Sequence, residues 1–293
     1  VNAADVLICS EPLAFCSFFA NSTHPTVSFI GNEPMFYVLP HDYNFMLQSI
    51  HEMATSPRSS FLTISATIAV WMDQHSGTPV VPVTPMALHV GRALYSYTPM
   101  EHELAEILIT KRFFTVFDFL CMFPLVLPRT ATYTLRLLRM ELLPEHLQSF
   151  ETWSQFRAAL VLPFDWLQMV LYDLYAIAVP IFMPDPRYTL PPFLFRNIPA
   201  RAFNYSKSAT SPVRSGHSRN ASGSSFPYDM PFTNTATCCQ RLLGRSWDAQ
   251  RAWTLLTDFA RLPHIRRFSS YAEVIAALGD LDALKATSQN MAK

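Results

Sequence analysis

Asp165 and Asp173 stand eight positions apart in the stretch Ala158–Asp185, which reads AALVLPFDWLQMVLYDLYAIAVPIFMPD. Eight residues of α-helix turn the chain through about 800°, so on one helix the two carboxylates lie within roughly 80° of each other, two turns apart. Two readings are open. In one, Asp165 is a helix N-cap, a usual place for that residue, and Asp173 is a solvated acid further along. In the other, both acids look toward the carboxyl ends of parallel strands, where open α/β sheets bind ligands. A second candidate group is the basic pair Lys111-Arg112, directly after the run Glu106–Thr110. An arginine there has the planar fork that pairs two phosphate oxygens, although a basic residue at a strand end is often just solvated.

The elements that must hold these residues are read from apolar runs and breakers. Ala158–Leu162 is long enough for a buried strand, and Pro163 ends it because a central strand cannot spare the missing N–H. Trp166–Ala178 contains no breaker and favours helix. Val179–Met183 is a second apolar run, stopped by Pro184-Asp185-Pro186. Strand, turn, helix and strand in one short stretch predict a βαβ unit, hence a parallel sheet with helices on its faces.

The order Pro163, Asp165, seven residues, Asp173, Ala176, Val179-Pro180 and an apolar strand resembles the donor-sugar motif of GT-B glycosyltransferases. In that family two glutamates are separated by seven residues, and the second opens the string Glu-Ala-Met-Ala-x-Gly-x-Pro. Here the string is Asp173-Leu174-Tyr175-Ala176-Ile177-Ala178-Val179-Pro180, with aspartate for both glutamates and Ala178 for the glycine. The resemblance implies an α/β fold of two Rossmann-like lobes and transfer of a sugar from a nucleotide-sugar donor to a glycan, protein or lipid acceptor. It implies that Asp173 hydrogen-bonds the ribose hydroxyls and that Asp165 lies near the donor sugar or its phosphate. The turn Phe164-Asp165-Trp166-Leu167 would offer backbone N–H groups to the diphosphate. Arg112, or Lys111, matches by chain order the basic group of a Gly-Arg strand end, without the glycine. No cofactor or bound metal is expected, because Arg and helix dipoles neutralise the leaving diphosphate in such enzymes. The departures from the motif equally suit a relative that has lost catalysis and binds a partner.

With 293 residues, half of them hydrophobic, the chain can build one large or two ordinary domains. Zero formal net charge and only 15% charged residues leave no electrostatic footprint for nucleic acid or an anionic membrane surface. Seven glycines, with no GxGxxG or GxxxxGK[ST] string, argue against a Gly-rich phosphate cradle. The longest apolar region is interrupted by Asp165, Gln168 and Asp173, which marks it as core and not a membrane span.

Along the chain, Asp5–Cys9, Pro25–Ile30, Ser60–Ser65 and Pro79–Val83 read as strands. They alternate with helical stretches that end near Ala20 and cover Tyr43–Met53 and Ala66–His75. Residues 61–85 resemble the last strand–helix–strand of a GT-B N-terminal lobe. Residues 1–90 are therefore expected to form an incomplete N-terminal lobe, its first strands and any leader or anchor lying upstream of Val1. Residues 91–196 are expected to form the donor lobe. Within them, Glu106–Thr110 is a strand, Phe113–Cys121 a helix and Phe123–Pro128 a further strand. Ala131–Met140 suits an edge strand or a basic-faced helix, and Ser149–Phe156 a short helix. Residues 197–237, rich in Ser and Asn, are expected to be a disordered insertion.

Residues 238–293 read as a helical tail. Trp247, Trp253, Leu256, Phe259 and Leu262 have amphipathic spacing up to Pro263-His264, and Ile265–Phe268 is extended. Ser269 or Ser270, then Asp280 or Asp282, cap two further helices. The five cysteines show no metal spacing and are expected to be buried thiols, with one bridge if the chain is lumenal. Sequons at Asn21, Asn204 and Asn220 favour the secretory pathway.

Overall fold

The computed structural model describes residues 5–10, 13–31, 43–85, 87–99, 104–110, 125, 134–162, 168–185 and 255–293. The chain divides into two units, residues 1–85 with 198–260, and residues 86–197 with 261–293.

In the first unit β1 (Leu7–Cys9), β2 (Thr26–Ile30), β3 (Ser59–Thr63) and β4 (Val81–Pro82) form a sheet in that order, every neighbouring pair parallel. The connections are a 3₁₀ helix (Leu13–Phe19), α1 (Tyr43–Thr55) and α2 (Ala66–Ser76). Each crossover leads to the next strand, and right-handed crossovers then place all three connections on one face. The 3₁₀ helix indeed packs on α1, and α1 on α2. Met46, Ile50 and Met53, at helical spacing, form the buried stripe of α1. Ser65 caps α2 by accepting the Thr67 N–H at 3.2 Å, and Gly77 ends it in the left-handed region at φ 64°.

The described elements sharpen three expectations. The helical stretch expected to end near Ala20 is a 3₁₀ helix over Leu13–Phe19. Of the strand expected over Pro79–Val83, Val81–Pro82 pairs with β3, and the Val83 N–H donates to the Thr63 carbonyl at 2.7 Å. Of the two states left open for the cysteines, buried thiols or one bridge, Cys9 and Cys16 show the bridge: they are joined by a disulfide.

The second unit holds β5 (Leu104–Ile109), β6 (Thr134–Arg139), β7 (Ala158–Leu160), β8 (Ile181–Pro184) and β9 (Arg266–Phe268), all parallel, in the order β6-β5-β7-β8-β9. Relative to the first of these strands the order is 2-1-3-4-5, a doubly wound pattern whose direction reverses between β5 and β7. Every residue of β7 and β8 is buried, which explains their unbroken apolar sequence. The ambiguous segment Ala131–Met140 supplies the edge strand β6, where Arg136 stands in register with Glu106 and pairs with it at 3.1 Å. Leu125 is the one described residue of the strand expected over Phe123–Pro128, and it is helical and exposed.

The short helices here are α3 (Phe150–Trp153) and α4 (Met169–Ala176). Among the described residues of the tail, α5 (Asp258–Arg261), whose first three residues belong to the first unit, stops before Pro263-His264, and β9 leads into α6 (Tyr271–Gly279) and α7 (Leu281–Met291). The tail is thus not purely helical: it contributes the fifth strand. Phe268, Val274, Ile275, Leu278 and Leu284 enter one core with Ile107, Ile109, Leu160, Leu162 and Phe182. Ser270, not Ser269, caps α6 by accepting the Glu273 N–H, while Glu273 accepts the Ser269 N–H at 2.7 Å, a variant of the capping box. Asp280 caps α7 through the Ala283 N–H at 3.0 Å. The insertion expected over 197–237, the helix over Phe113–Cys121 and the sequons at Asn204 and Asn220 lie outside the described residues.

Candidate functional site

The carboxyl ends of β5 and β7 are adjacent: Ile109 is in register with Leu160, and the Thr110 N–H donates to the Leu160 carbonyl at 3.2 Å. This is the reversal point of the sheet, the place where open α/β sheets take ligands. Lys111 and Arg112 follow Thr110 in sequence, and Pro163 to Leu167 follow Leu162. The candidates Lys111, Arg112, Phe164, Asp165, Trp166 and Leu167 themselves lie outside the described residues.

Asp173 is the fifth residue of α4, about 6 Å along its axis. Leu171, Tyr172 and Leu174 are the buried residues of this helix, and Asp173 is partly covered. The expected helix from Trp166 begins only at Met169, because Gln168 takes the extended backbone of an N-cap (φ −116°, ψ 96°). The angular relation of Asp165 to Asp173 predicted from a common helix is therefore withdrawn: Asp165 precedes the cap by three residues.

The C-terminus of α4 is a full Schellman motif. The Val179 N–H donates to the Leu174 carbonyl at 3.2 Å and the Ala178 N–H to the Tyr175 carbonyl at 2.9 Å. Ala178 is left-handed, with φ 61°. A non-glycine residue there carries a steric cost of about 1–2 kcal/mol. Ala178 is the position at which the resembling motif carries glycine, and Pro180, unable to continue a helix, follows two residues later.

A residue that sequence reasoning did not single out meets Asp173. His89 Nε2 lies 2.8 Å from Asp173 Oδ1, with the aspartate side chain 17% exposed. His89 sits in a 3₁₀ turn (Leu88–Val90) preceded by the left-handed Ala87 at φ 44° and followed by Gly91 at φ 67°, so two residues of positive φ bracket it. Its ring stands edge-on to Phe150 at 5.5 Å, and Phe150 is edge-on to Trp153 at 5.1 Å. Burial pushes the Asp173 carboxyl above the ordinary aspartate value, while the charge and hydrogen bond of His89 pull it back in part. Nothing local in the sequence signals this pair, since its members are separated by most of the second unit. An ionised carboxylate has about four acceptor positions, and His89 engages one oxygen.

Residues after this turn bind the same helix and its neighbours. The Tyr95 N–H donates to the Ile177 carbonyl at 2.8 Å, the Tyr95 hydroxyl to the Arg157 carbonyl at 2.9 Å, and the Ser96 N–H to the Ser154 carbonyl at 2.9 Å. Burial pushes the Tyr95 phenol far above its usual value, so it stays a donor. Arg157, buried, places its guanidinium 5.7 Å from the Tyr97 ring centre and donates from Nη2 to the Gly279 carbonyl at 3.4 Å. Among the described residues no group of three or more His, Cys, Asp or Glu side chains is placed to hold a metal ion. Nor is any described helix long and apolar enough to cross a membrane. No family model matches the chain, and no curated protein matches it either.

Proposed function

We propose that the chain is a GT-B-type glycosyltransferase that takes a nucleotide-activated sugar on its second unit. The observation that carries this reading is the reversal point of the second sheet. Both sequence segments with candidate donor contacts, Lys111-Arg112 and Phe164–Leu167, come after the neighbouring strands β5 and β7 in chain order. The left-handed Ala178, in register with the motif glycine and five residues after Asp173, supports the same alignment. In this reading Asp173 accepts hydrogen bonds from the vicinal ribose hydroxyls, and His89 holds the carboxylate in place for them. Arg112 or Lys111 meets the diphosphate, with the N–H groups around Asp165. Transfer breaks the bond from the anomeric carbon to the diphosphate oxygen and forms one to an acceptor oxygen, whose proton passes to a base.

A second reading is a GT-B-like domain that binds a partner without catalysis. The 2.8 Å contact of His89 with Asp173 favours it, because a ribose must share that carboxylate. Assaying donor hydrolysis and transfer with uridine, guanosine, adenosine and cytidine nucleotide sugars tests the first reading. Turnover abolished by Asp173→Ala, with the far-ultraviolet spectrum unchanged, is the expected result. No detectable affinity of the full chain for any of these nucleotides supports the second reading.

A further inference from the structure

We propose that Asn21 is a site of N-glycosylation and that the first unit matures in an oxidising, glycosylating compartment. The sequon Asn21-Ser22-Thr23 occupies the turn that leaves the 3₁₀ helix, where the Ser22 N–H donates to the Phe19 carbonyl at 2.9 Å and the Ala20 N–H to the Ser17 carbonyl at 3.1 Å. The far side of the turn is tied down by Arg58, whose Nη1 donates to the Thr23 carbonyl at 2.6 Å. Asn21 and Thr23 are both exposed on this braced turn, so the acceptor amide and the hydroxyl two residues on are both accessible.

A separate observation supplies the compartment. The same 3₁₀ helix is joined to the end of β1 by the Cys9–Cys16 disulfide. Disulfides persist where glycans are added, in the secretory lumen, and are rare in reducing cytosol. The 3₁₀ helix that leads into the sequon carries exposed rings: Phe18 is 81% exposed, Phe15 57% and Phe19 38%. Phe15 and Phe18 stack with ring centres 6.2 Å apart, an exposed apolar patch on that helix.

The donor is a polyprenyl-diphosphate-linked oligosaccharide, acted on by the transferase of the host compartment. The Asn21 amide nitrogen loses a proton and bonds to the anomeric carbon, while the bond from that carbon to the diphosphate breaks and the diphosphate leaves with the electron pair. None of this depends on whether Asp173 binds a nucleotide.

The test directs the full chain into the lumen of a eukaryotic cell with a cleavable leader. Peptide mapping then follows peptide N-glycosidase treatment in ¹⁸O water, and cysteine state is read from unreduced digests. The expected result is ¹⁸O-labelled aspartate at position 21 and a Cys9–Cys16 bridged peptide. Label at position 21 should be lost in Asn21→Gln and Thr23→Ala and retained in Thr23→Ser. Unlabelled Asn21 in secreted protein, label that survives Thr23→Ala, or Cys9 and Cys16 recovered as thiols would overturn the proposal. Peptides carrying Asn204 and Asn220 are read separately, so they cannot mimic the result.

Discussion

Asp173 is held between two opposing influences, burial that disfavours its charge and His89 that favours it, with burial the larger. Its folded pKa therefore lies above the ordinary value of 3.8, and the folded state holds this proton more tightly than the unfolded chain. Stability from this group is fullest below 3.8 and declines as pH rises from there through the raised folded value. Carbon-detected titration of the Asp173 carboxyl should place its midpoint above 3.8, and His89→Gln, which removes the charge while keeping bulk, should move it higher. A midpoint at or below 3.8 would contradict the burial shown here. At Ala178 the left-handed backbone decides. Ala178→Val adds a β-branched side chain at φ 61° in a buried site and should lower unfolding free energy by more than about 2 kcal/mol. Ala178→Gly relieves the strain but gives up a buried methyl and adds chain entropy, so urea denaturation should find it within about 1 kcal/mol of the parent.

At the scale of elements, packing of the 87–99 segment on α4 sets where Asp173 points. Tyr95→Phe deletes the hydroxyl that donates to the Arg157 carbonyl, and a loss of about 1 kcal/mol in urea denaturation is expected. The central βαβ unit was legible in the sequence because β7 and β8 are buried on both faces and bounded by proline. Its helix was less so: Gln168, an ordinary helix residue, takes an extended backbone, and propensity alone does not reveal that. Segment 134–139 resisted assignment because an edge strand tolerates the basic residues that a helix face also tolerates. β9, with two arginines in three residues, lacks the apolar signature of a central strand and read only as extended. Arg266 lies over the Phe182 ring at 5.2 Å, so its cationic group is accommodated on an aromatic face that the sequence does not display.

For the whole molecule, strands alternating with helices announced the α/β class, and parallel sheets are found in both units. The sequence showed neither the strand order nor the return of the tail into the second sheet, because both depend on contacts between distant segments. That return has a consequence for truncation. Ending the chain at residue 260 removes Phe268, Val274, Ile275, Leu278 and Leu284 from the core and uncovers the edge of β8. The shortened chain should lose protease resistance over residues 104–185, while a cut at residue 292 should leave it intact. The most direct test of the sugar-donor reading is calorimetric titration of the full chain with the four classes of nucleotide sugar. One class should bind, and Asp173→Ala, which removes charge-assisted hydrogen bonds to the ribose, should weaken it by roughly ten- to a hundredfold. Binding by none of them, or binding unchanged by that substitution in a folded protein, would contradict the account.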